Sequence, residues 1–346
     1  MYSSAPKCEE NPALFSPSTP TLSLEKKSKD LTKCPSPKVI LLAGPTGSGK
    51  TELSLILAEM LKGEIVSADS IQVYRGMDIG TAKVSEKDRL RIPHHLIDIR
   101  HIQESFNVVD FYFEAKQSIN SILARNRIPI VVGGSGFYFR VLINGPPQGP
   151  PSFSDLRDAL KKEMDTLGHE AMYQRLKKAD PKYAASITAN DRQKVIRALE
   201  ILILTGDKVS KIQWTRQSAY RDYTYHSWFI YHPREILYPN LDIRCEQMIE
   251  AGLIEEVEEL ETQGLRMNVS ASQAIGYRQC LTFLESSKSP QEYKNFLQKF
   301  KIASRHYAKR QFTWFRKEPI FQWLDINVHD LEIIAEIIAD EFNSAI

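Results

Sequence analysis

The chain of 346 residues carries 45 Lys+Arg against 43 Asp+Glu, a net charge of +2, with 42% apolar and 25% charged residues. This is the composition of an ordinary globular protein long enough to bury a sizeable core, and the near-neutral total neither advertises nor excludes a local basic patch for nucleic acid. No apolar run approaches the roughly 18 residues of a membrane helix. Four scattered cysteines (Cys8, Cys34, Cys245 and Cys280) without a C-x-x-C pair exclude a disulfide framework and a zinc site. A cytoplasmic protein in a reducing compartment is expected, with no membrane association.

Residues 1–38 hold 6 of the 18 prolines and 7 serines without hydrophobic periodicity, and read as a disordered tail. Glu9, Glu10, Glu25 and Asp30, with no continuous apolar stretch, argue against a targeting peptide. The texture changes at Val39. The run Val39 to Ala43 predicts a buried strand, and Leu53, Leu57, Ala58 and Leu61 carry helical periodicity up to Gly63. Glu64 to Asp69 predicts a second strand and His95 to Ile99 a third. A helix is predicted over 111–125, then a strand over 128–132 that runs into Gly133-Gly134-Ser135-Gly136. Strands alternating with helices imply a parallel sheet covered on both faces. The breaker Gly-Pro-Pro-Gln-Gly-Pro-Pro at 145–151 opens a charged helical stretch over 152–222, one more strand is predicted at 228–231, and the remainder is helical to the end. The expected fold is α/β, with a P-loop NTPase-like parallel sheet core (39–144 and 223–346) interrupted by a helical insertion domain (145–222).

Gly44-Pro45-Thr46-Gly47-Ser48-Gly49-Lys50-Thr51 matches G-x-x-x-x-G-K-[ST] between a strand and a helix. Glycines let backbone N–H groups close around phosphate oxygens, and the following helix N-terminus adds its dipole. Lys50 is placed to neutralise the terminal phosphate, and the Thr51 hydroxyl to ligate Mg²⁺. The loop predicts a diphosphate or longer ligand without choosing the reaction. Asp69 lies at the end of the second strand, on the rim where parallel sheets bind ligands. Its residue type fits a helix cap, a Mg²⁺ partner or a general base.

Seven stretches decide among these: GPTGSGKT (44–51), DSIQVYRGMDIGTAK (69–83), PHHLIDI (93–99), PIVVGGSGFYFR (129–140), NDRQKVIRALE (190–200), AIGYRQC (274–280) and AKRQFTWFR (308–316). In content and order they resemble the bacterial tRNA dimethylallyltransferases, also called tRNA isopentenyltransferases. The resemblance implies Mg²⁺-dependent transfer of a dimethylallyl group from dimethylallyl diphosphate to N6 of adenosine 37 in the anticodon stem-loop of tRNAs reading codons that begin with U, giving N6-(dimethylallyl)adenosine. The phosphate loop then holds the donor's diphosphate instead of ATP. Asp69 matches the family's general base, and Ser70, Ile71 and Gln72 its base-recognition segment. Ser135, Arg157, Gln193, Lys194, Val195, Ile196 and Arg197, and Ser272, Gln273, Ala274, Ile275, Gly276 and Tyr277 match tRNA contacts. Arg234 matches a diphosphate-binding arginine, with a surface salt bridge as the alternative. The usual Thr of the Gly-Gly-Thr-Gly loop is Ser135 here, which keeps a hydroxyl, and the segment 238–241 lacks the arginine typical after that strand. The implied chemistry is coherent: a carboxylate takes the proton of a weakly nucleophilic exocyclic amine, and cations assist diphosphate departure. The adenine must leave its stack, at a cost of a few kcal/mol.

Residues 301–317 contain six Lys/Arg and no acid, with Lys301, Arg305 and Lys309 on one helix face and Tyr307, Phe312, Trp314 and Phe315 interleaved. With the resemblance, this face is expected to meet RNA phosphates, and the acidic run Glu255, Glu256, Glu258, Glu259 and Glu261 to face away. A small-molecule kinase leaves the 69–83 block unexplained. An adenylate isopentenyltransferase would not need the insertion, and a non-catalytic tRNA-binding module would not need the phosphate loop. A monomer is expected.

Overall fold

The computed structural model describes residues 36–212 and 222–344. The sequence-predicted tail therefore lies outside the described residues except for its last three positions, as do Cys8, Cys34 and residues 213–221 of the insertion. The core opens with β1 (Lys38–Ala43), α1 (Lys50–Met60), β2 (Gly63–Ala68), α2 (Glu86–Arg91) and β3 (His94–His95). It continues through α3 (Val108–Ala124), β4 (Ile128–Gly133) and α4 (Gly136–Asn144). The insertion supplies α5 (Ser154–Leu167), α6 (His169–Ala179), α7 (Pro181–Ala184) and α8 (Arg192–Thr205). The core resumes with β5 (Thr224–Tyr231), α9 (Arg234–Glu250), α10 (Leu253–Thr262) and α11 (Val269–Ser272). It closes with α12 (Tyr277–Leu284), α13 (Pro290–Phe315), β6 (Gln322–Asp325) and α14 (Leu331–Ser344).

All six strands are parallel, in the order β3-β2-β4-β1-β5-β6. The apolar run of β1 is buried on both sides because its side chains alternate. Ile40 and Leu42 pack with Leu53, Leu57, Ile334, Ile338 and Phe342 of α1 and α14. Leu41 and Ala43 pack with Phe111, Phe139, Leu237 and Phe312 from α3, α4, α9 and α13 on the other face. Two expectations change. The strand foreseen at 95–99 shrinks to His94–His95, because Leu96 and Asp98 adopt left-handed backbone angles (φ 64° and 56°) that no strand accommodates. The carboxyl-terminal part is not wholly helical: Gln322–Asp325 pairs with β5 as an edge strand, four residues whose state is set by that pairing and not by any pattern of their own.

Helices α5, α6 and α8 enclose their own cluster of Leu160, Met164, Met172, Leu176, Val195 and Leu199. The insertion thus has a core, although residues from Ser36 onward form one compact unit. Cys245 and Cys280 are free and buried, and no helix among the described residues is long and apolar enough to cross a membrane. Because Leu42 is fully buried between strand neighbours and α1, Leu42→Ala is expected to lower unfolding free energy by roughly 2–5 kcal/mol with an unchanged denaturant slope. A denaturant titration showing less than about 1 kcal/mol would contradict this packing.

Candidate active site at the carboxyl edge of the sheet

Strands β2, β4 and β1 are neighbours, so the loops leaving their carboxyl ends (69–83, 133–136 and 44–51) converge on one rim. A cavity of about 300 Å³ there is lined by residues 46–51 of the phosphate loop and Glu52 of α1, by Ser67, Asp69, Gln72, Thr81 and His94, and by Arg244, Tyr307 and Gln311. Gly47 has a left-handed φ of 76°, and a β-carbon there would stand 2.8 Å from Leu241, so only glycine fits the bend. Gly49 caps α1 with no side-chain hydrogen bond to the helix amides, which leaves the orphan N–H groups of the first turn for a ligand.

Two cations flank these donors. The Lys50 ammonium donates to the Pro45 carbonyl at 2.6 Å. Burial, reinforced by the neighbouring Arg244 and opposed by Asp69, pushes Lys50 down to about 7. Arg244 lies on the apolar stripe of α9 with Leu237, Leu241, Cys245 and Met248, and desolvation lowers its ionisation. No hydrogen bond or ion pair joins it to an acidic side chain among the described residues. A largely desolvated arginine is ordinarily paired, so a cationic site built this way can accept an anion.

Asp69 spends Oδ1 on the Ile71 and Gln72 amides, at 2.8 and 3.3 Å. This is a turn cap, and it leaves Oδ2 without a hydrogen-bond partner among the described residues. Gln72 is fixed in turn by the Ser67 hydroxyl and the Thr81 carbonyl. The Glu256 carboxylate accepts from the backbone amides of Asp78, Ile79 and Gly80 at 3.0, 2.7 and 3.3 Å and from the Tyr277 hydroxyl. Lys83 is clamped between Asp78, Asp98 and the Tyr74 carbonyl. A second cavity of about 330 Å³ adjoins the first, with apolar walls from Ile71, Leu241, Met248, Ala274, Ile275 and Phe300. Thr46, Asp69, Thr81, Arg244 and Tyr307 line both cavities.

The chain matches the IPP transferase family over residues 72–318. The tRNA dimethylallyltransferase of Protochlamydia amoebophila is 53% identical over 305 residues, 88% of this chain and 89% of that protein, and the Chlamydia abortus protein of the same name is 52% identical over the same shares. The chain belongs to the tRNA dimethylallyltransferase family. Among solved structures, the full-length tRNA isopentenylpyrophosphate transferase of Bacillus halodurans is 38% identical with a TM-score of 0.64, covering 88% of this chain and 97% of that one. A eukaryotic dimethylallyltransferase described as acting on tRNA is 29% identical with a TM-score of 0.71, over 89% and 80% of the two chains. A Zeta toxin family match covers residues 22–75, the stretch holding the phosphate loop.

Placed on this frame, the residues expected of a dimethylallyltransferase divide. Thr46, Gly47, Ser48, Gly49, Lys50 and Thr51 of the phosphate loop, with Asp69 and Gln72, line the first cavity, whereas Gly44 and Pro45 line neither; Asp69, Ser70, Ile71, Gln273, Ala274, Ile275 and Tyr277 line the second. Tyr277 is fully buried and reserved for Glu256, so it supports the loop and does not present itself to RNA. Val195 and Ile196 are likewise core residues of the insertion, because apolar side chains on that face of α8 close its bundle; Gln193 and Lys194 are exposed. Arg157 and Arg197 converge on the buried Glu200 at 2.9 and 2.6 Å, and Arg197 also holds the Pro150 carbonyl. They brace the insertion. Ser135 precedes α4 and lines neither cavity, and Ser272 and Gly276 are buried behind the second. Arg234 rests its guanidinium 5.8 Å from the Phe312 ring and also lines neither cavity; the arginine that lines both is Arg244. Its signal was legible: a charge at the position where the stripe of α9 calls for an apolar residue.

The basic helix also reads differently. Lys301 pairs with Glu246 and Arg305 with Asp242 at 2.6 Å, so both tie α13 to α9, while Lys309 and Arg310 remain exposed. Phe312 and Phe315 are core, and Trp314 packs beneath Arg140. Glu256 leaves the outward-facing acidic run altogether.

A lysine held near 7 is half neutral at neutral pH, and a bound anion restores its proton. Diphosphate binding is therefore expected to take up protons above pH 7, and the affinity advantage of the native protein over Lys50→Gln for inorganic diphosphate is expected to shrink from pH 7 to 9. Calorimetric titrations in which that advantage stays constant or grows with pH would refute this placement of Lys50.

Proposed function

We propose that the chain transfers a dimethylallyl group from dimethylallyl diphosphate to N6 of adenosine 37 in tRNAs that read codons beginning with U. The observation that carries the reading is the junction: a cationic, amide-rich cavity sized for a diphosphate opens directly into an apolar cavity, and Asp69 stands where they meet. In this reading the donor lies across the two cavities, its diphosphate on the phosphate loop, Lys50 and Arg244, and its five-carbon tail against Leu241, Met248 and Phe300. The extruded adenine enters beside Ser70, Ile71 and Ala274. The free Oδ2 of Asp69 accepts the N6 proton as the N–C bond forms, while its Oδ1 stays in the turn that orients it. Gln72, held by Ser67 and Thr81, presents a fixed amide to the base.

The donor set suits Mg²⁺, which takes one or two protein oxygens and completes its shell from substrate phosphates and water. Thr51, in the first turn of α1, is exposed and lines the cavity, as does Asp69; no cage of three or more acidic, histidine or cysteine ligands exists among the described residues. When bound there, the ion neutralises charge on the departing diphosphate. A cytoplasmic location accords with this substrate.

Incubation with unmodified tRNA, Mg²⁺ and dimethylallyl diphosphate is expected to add one dimethylallyl unit to adenosine, read by mass spectrometry of the digested RNA; ATP turnover without such a product would overturn the assignment. Asp69→Ala is expected to lose about 10²–10⁴-fold in turnover with tRNA affinity retained, and equal loss of both would make Asp69 structural. Since Lys301 and Arg305 are internally paired, the double substitution Lys309→Ala with Arg310→Ala is expected to weaken tRNA binding and flatten its salt dependence, whereas Lys301→Ala leaves the salt slope unchanged. The reverse ranking would place the RNA on a different face.

A further inference from the structure

The bond that breaks joins the contents of the two cavities, so it spans their junction, which the side chains of Thr46, Asp69, Thr81, Arg244 and Tyr307 surround. Their capacities differ. Asp69 is an acceptor and repels the oxygen on which charge develops. Arg244 is a diffuse cation suited to the outer phosphate oxygens. The Thr81 hydroxyl is committed to the Met77 carbonyl at 2.7 Å. Thr46 and Tyr307 remain, and the backbone amide of Thr46 is itself held by Gln311 at 3.0 Å. A phenol is the more acidic and hence stronger donor to a developing oxyanion. Tyr307 is carried on α13 one turn before Gln311, on the inward face that also bears Ser304. No hydrogen bond to a described residue occupies its hydroxyl. The Arg310 guanidinium lies 5.5 Å from the centre of its ring and restrains it.

We propose that Tyr307 is a catalytic residue whose hydroxyl donates a hydrogen bond to the bridging oxygen of the departing diphosphate. The inference rests on the dimethylallyl-transfer reading above. As the reaction proceeds, the bond from the allylic carbon to that oxygen breaks with its electron pair on the diphosphate. The N6 lone pair forms the new N–C bond, and the N6 proton passes to Asp69. Tyr307 keeps its own proton throughout; burial and the nearby Asp69 push its ionisation well above the ordinary phenol value, so the donor is present at every working pH. A neutral donor at this point stabilises charge that exists only as the bond lengthens, and so contributes to turnover and not to donor affinity.

The test compares the native protein, Tyr307→Phe and Thr46→Val on two donors, dimethylallyl diphosphate and its thiolo analogue with sulfur in the bridging position. Transfer by the native protein from the oxygen donor is the control, and its absence would sink the transfer reading itself. Given that activity, Tyr307→Phe is expected to lose about 100-fold in kcat on the oxygen donor with KM nearly unchanged, the size of one lost oxyanion donor. Sulfur accepts hydrogen bonds poorly, so on the thiolo donor the loss is expected to fall below about 3-fold. An undiminished kcat, an equal loss on both donors, or a loss confined to Thr46→Val overturns the proposal. The ratio of rates on the two donors is internal to each variant, so it stands even if the substitution changes the fraction folded.

Discussion

The Gln311 carboxamide, brought in from α13, cross-links two loops that leave neighbouring strands. Its Oε1 accepts from the Thr46 amide in the phosphate loop and its Nε2 donates to the Gly134 carbonyl, both at 3.0 Å, in a setting that is nearly fully buried. A side chain on Gly134 would collide with the carboxamide, so that glycine and Gln311 constrain each other. A phosphate loop is a floppy ring of small residues unless something fixes its first peptide. Here a rigid 26-residue helix does so, and the same helix carries Tyr307 to the junction and ties itself to α9 through Lys301 and Arg305.

The loop also carries an electrostatic load. Lys50 and Arg244 are both desolvated; Arg244 adds to the cost of ionising Lys50, and Asp69 offsets it. An anion bound between the two cations would favour the charged form of both, as the proposed diphosphate does. On the opposite side, Glu256 and Lys83 hold the 78–83 loop from behind through hydrogen bonds and ion pairs, and Asp69 and Gln72 face the cavity beside it. These interior groups perform positioning work that lies outside the reacting centre and yet sets its geometry.

Much of this was legible in the chain. The alternating strands and helices and the phosphate loop were readable because each is local: periodicity and spacing report on residues a few positions apart. The 69–83 segment was readable only through its resemblance to a known family. What the sequence obscured was the direction in which long helices turn. The run 301–317 is basic and aromatic in one dimension, but Lys301 and Arg305 pair with α9 and Phe312 and Phe315 enter the core, while the side chains it sends to the first cavity are the uncharged Tyr307 and Gln311. Glu256 vanished into an acidic run for the same reason. Val195 and Ile196 belong to a motif whose polar members, Gln193 and Lys194, are the exposed ones. Arg244 was passed over, because its significance depends on a cavity assembled from loops as far as two hundred residues away.

The claim underlying this account is spatial: an adenine lifted from its stack meets the donor at Asp69. A crystal structure of the protein with an anticodon stem-loop and the thiolo analogue of the donor, in which sulfur slows cleavage, tests it directly. The account predicts a flipped adenine beside Ser70 and Ile71, its N6 within hydrogen-bond distance of Asp69 Oδ2, and the diphosphate in contact with Lys50 and Arg244. An adenine still stacked in the RNA, or a donor whose diphosphate avoids both cations, would contradict it.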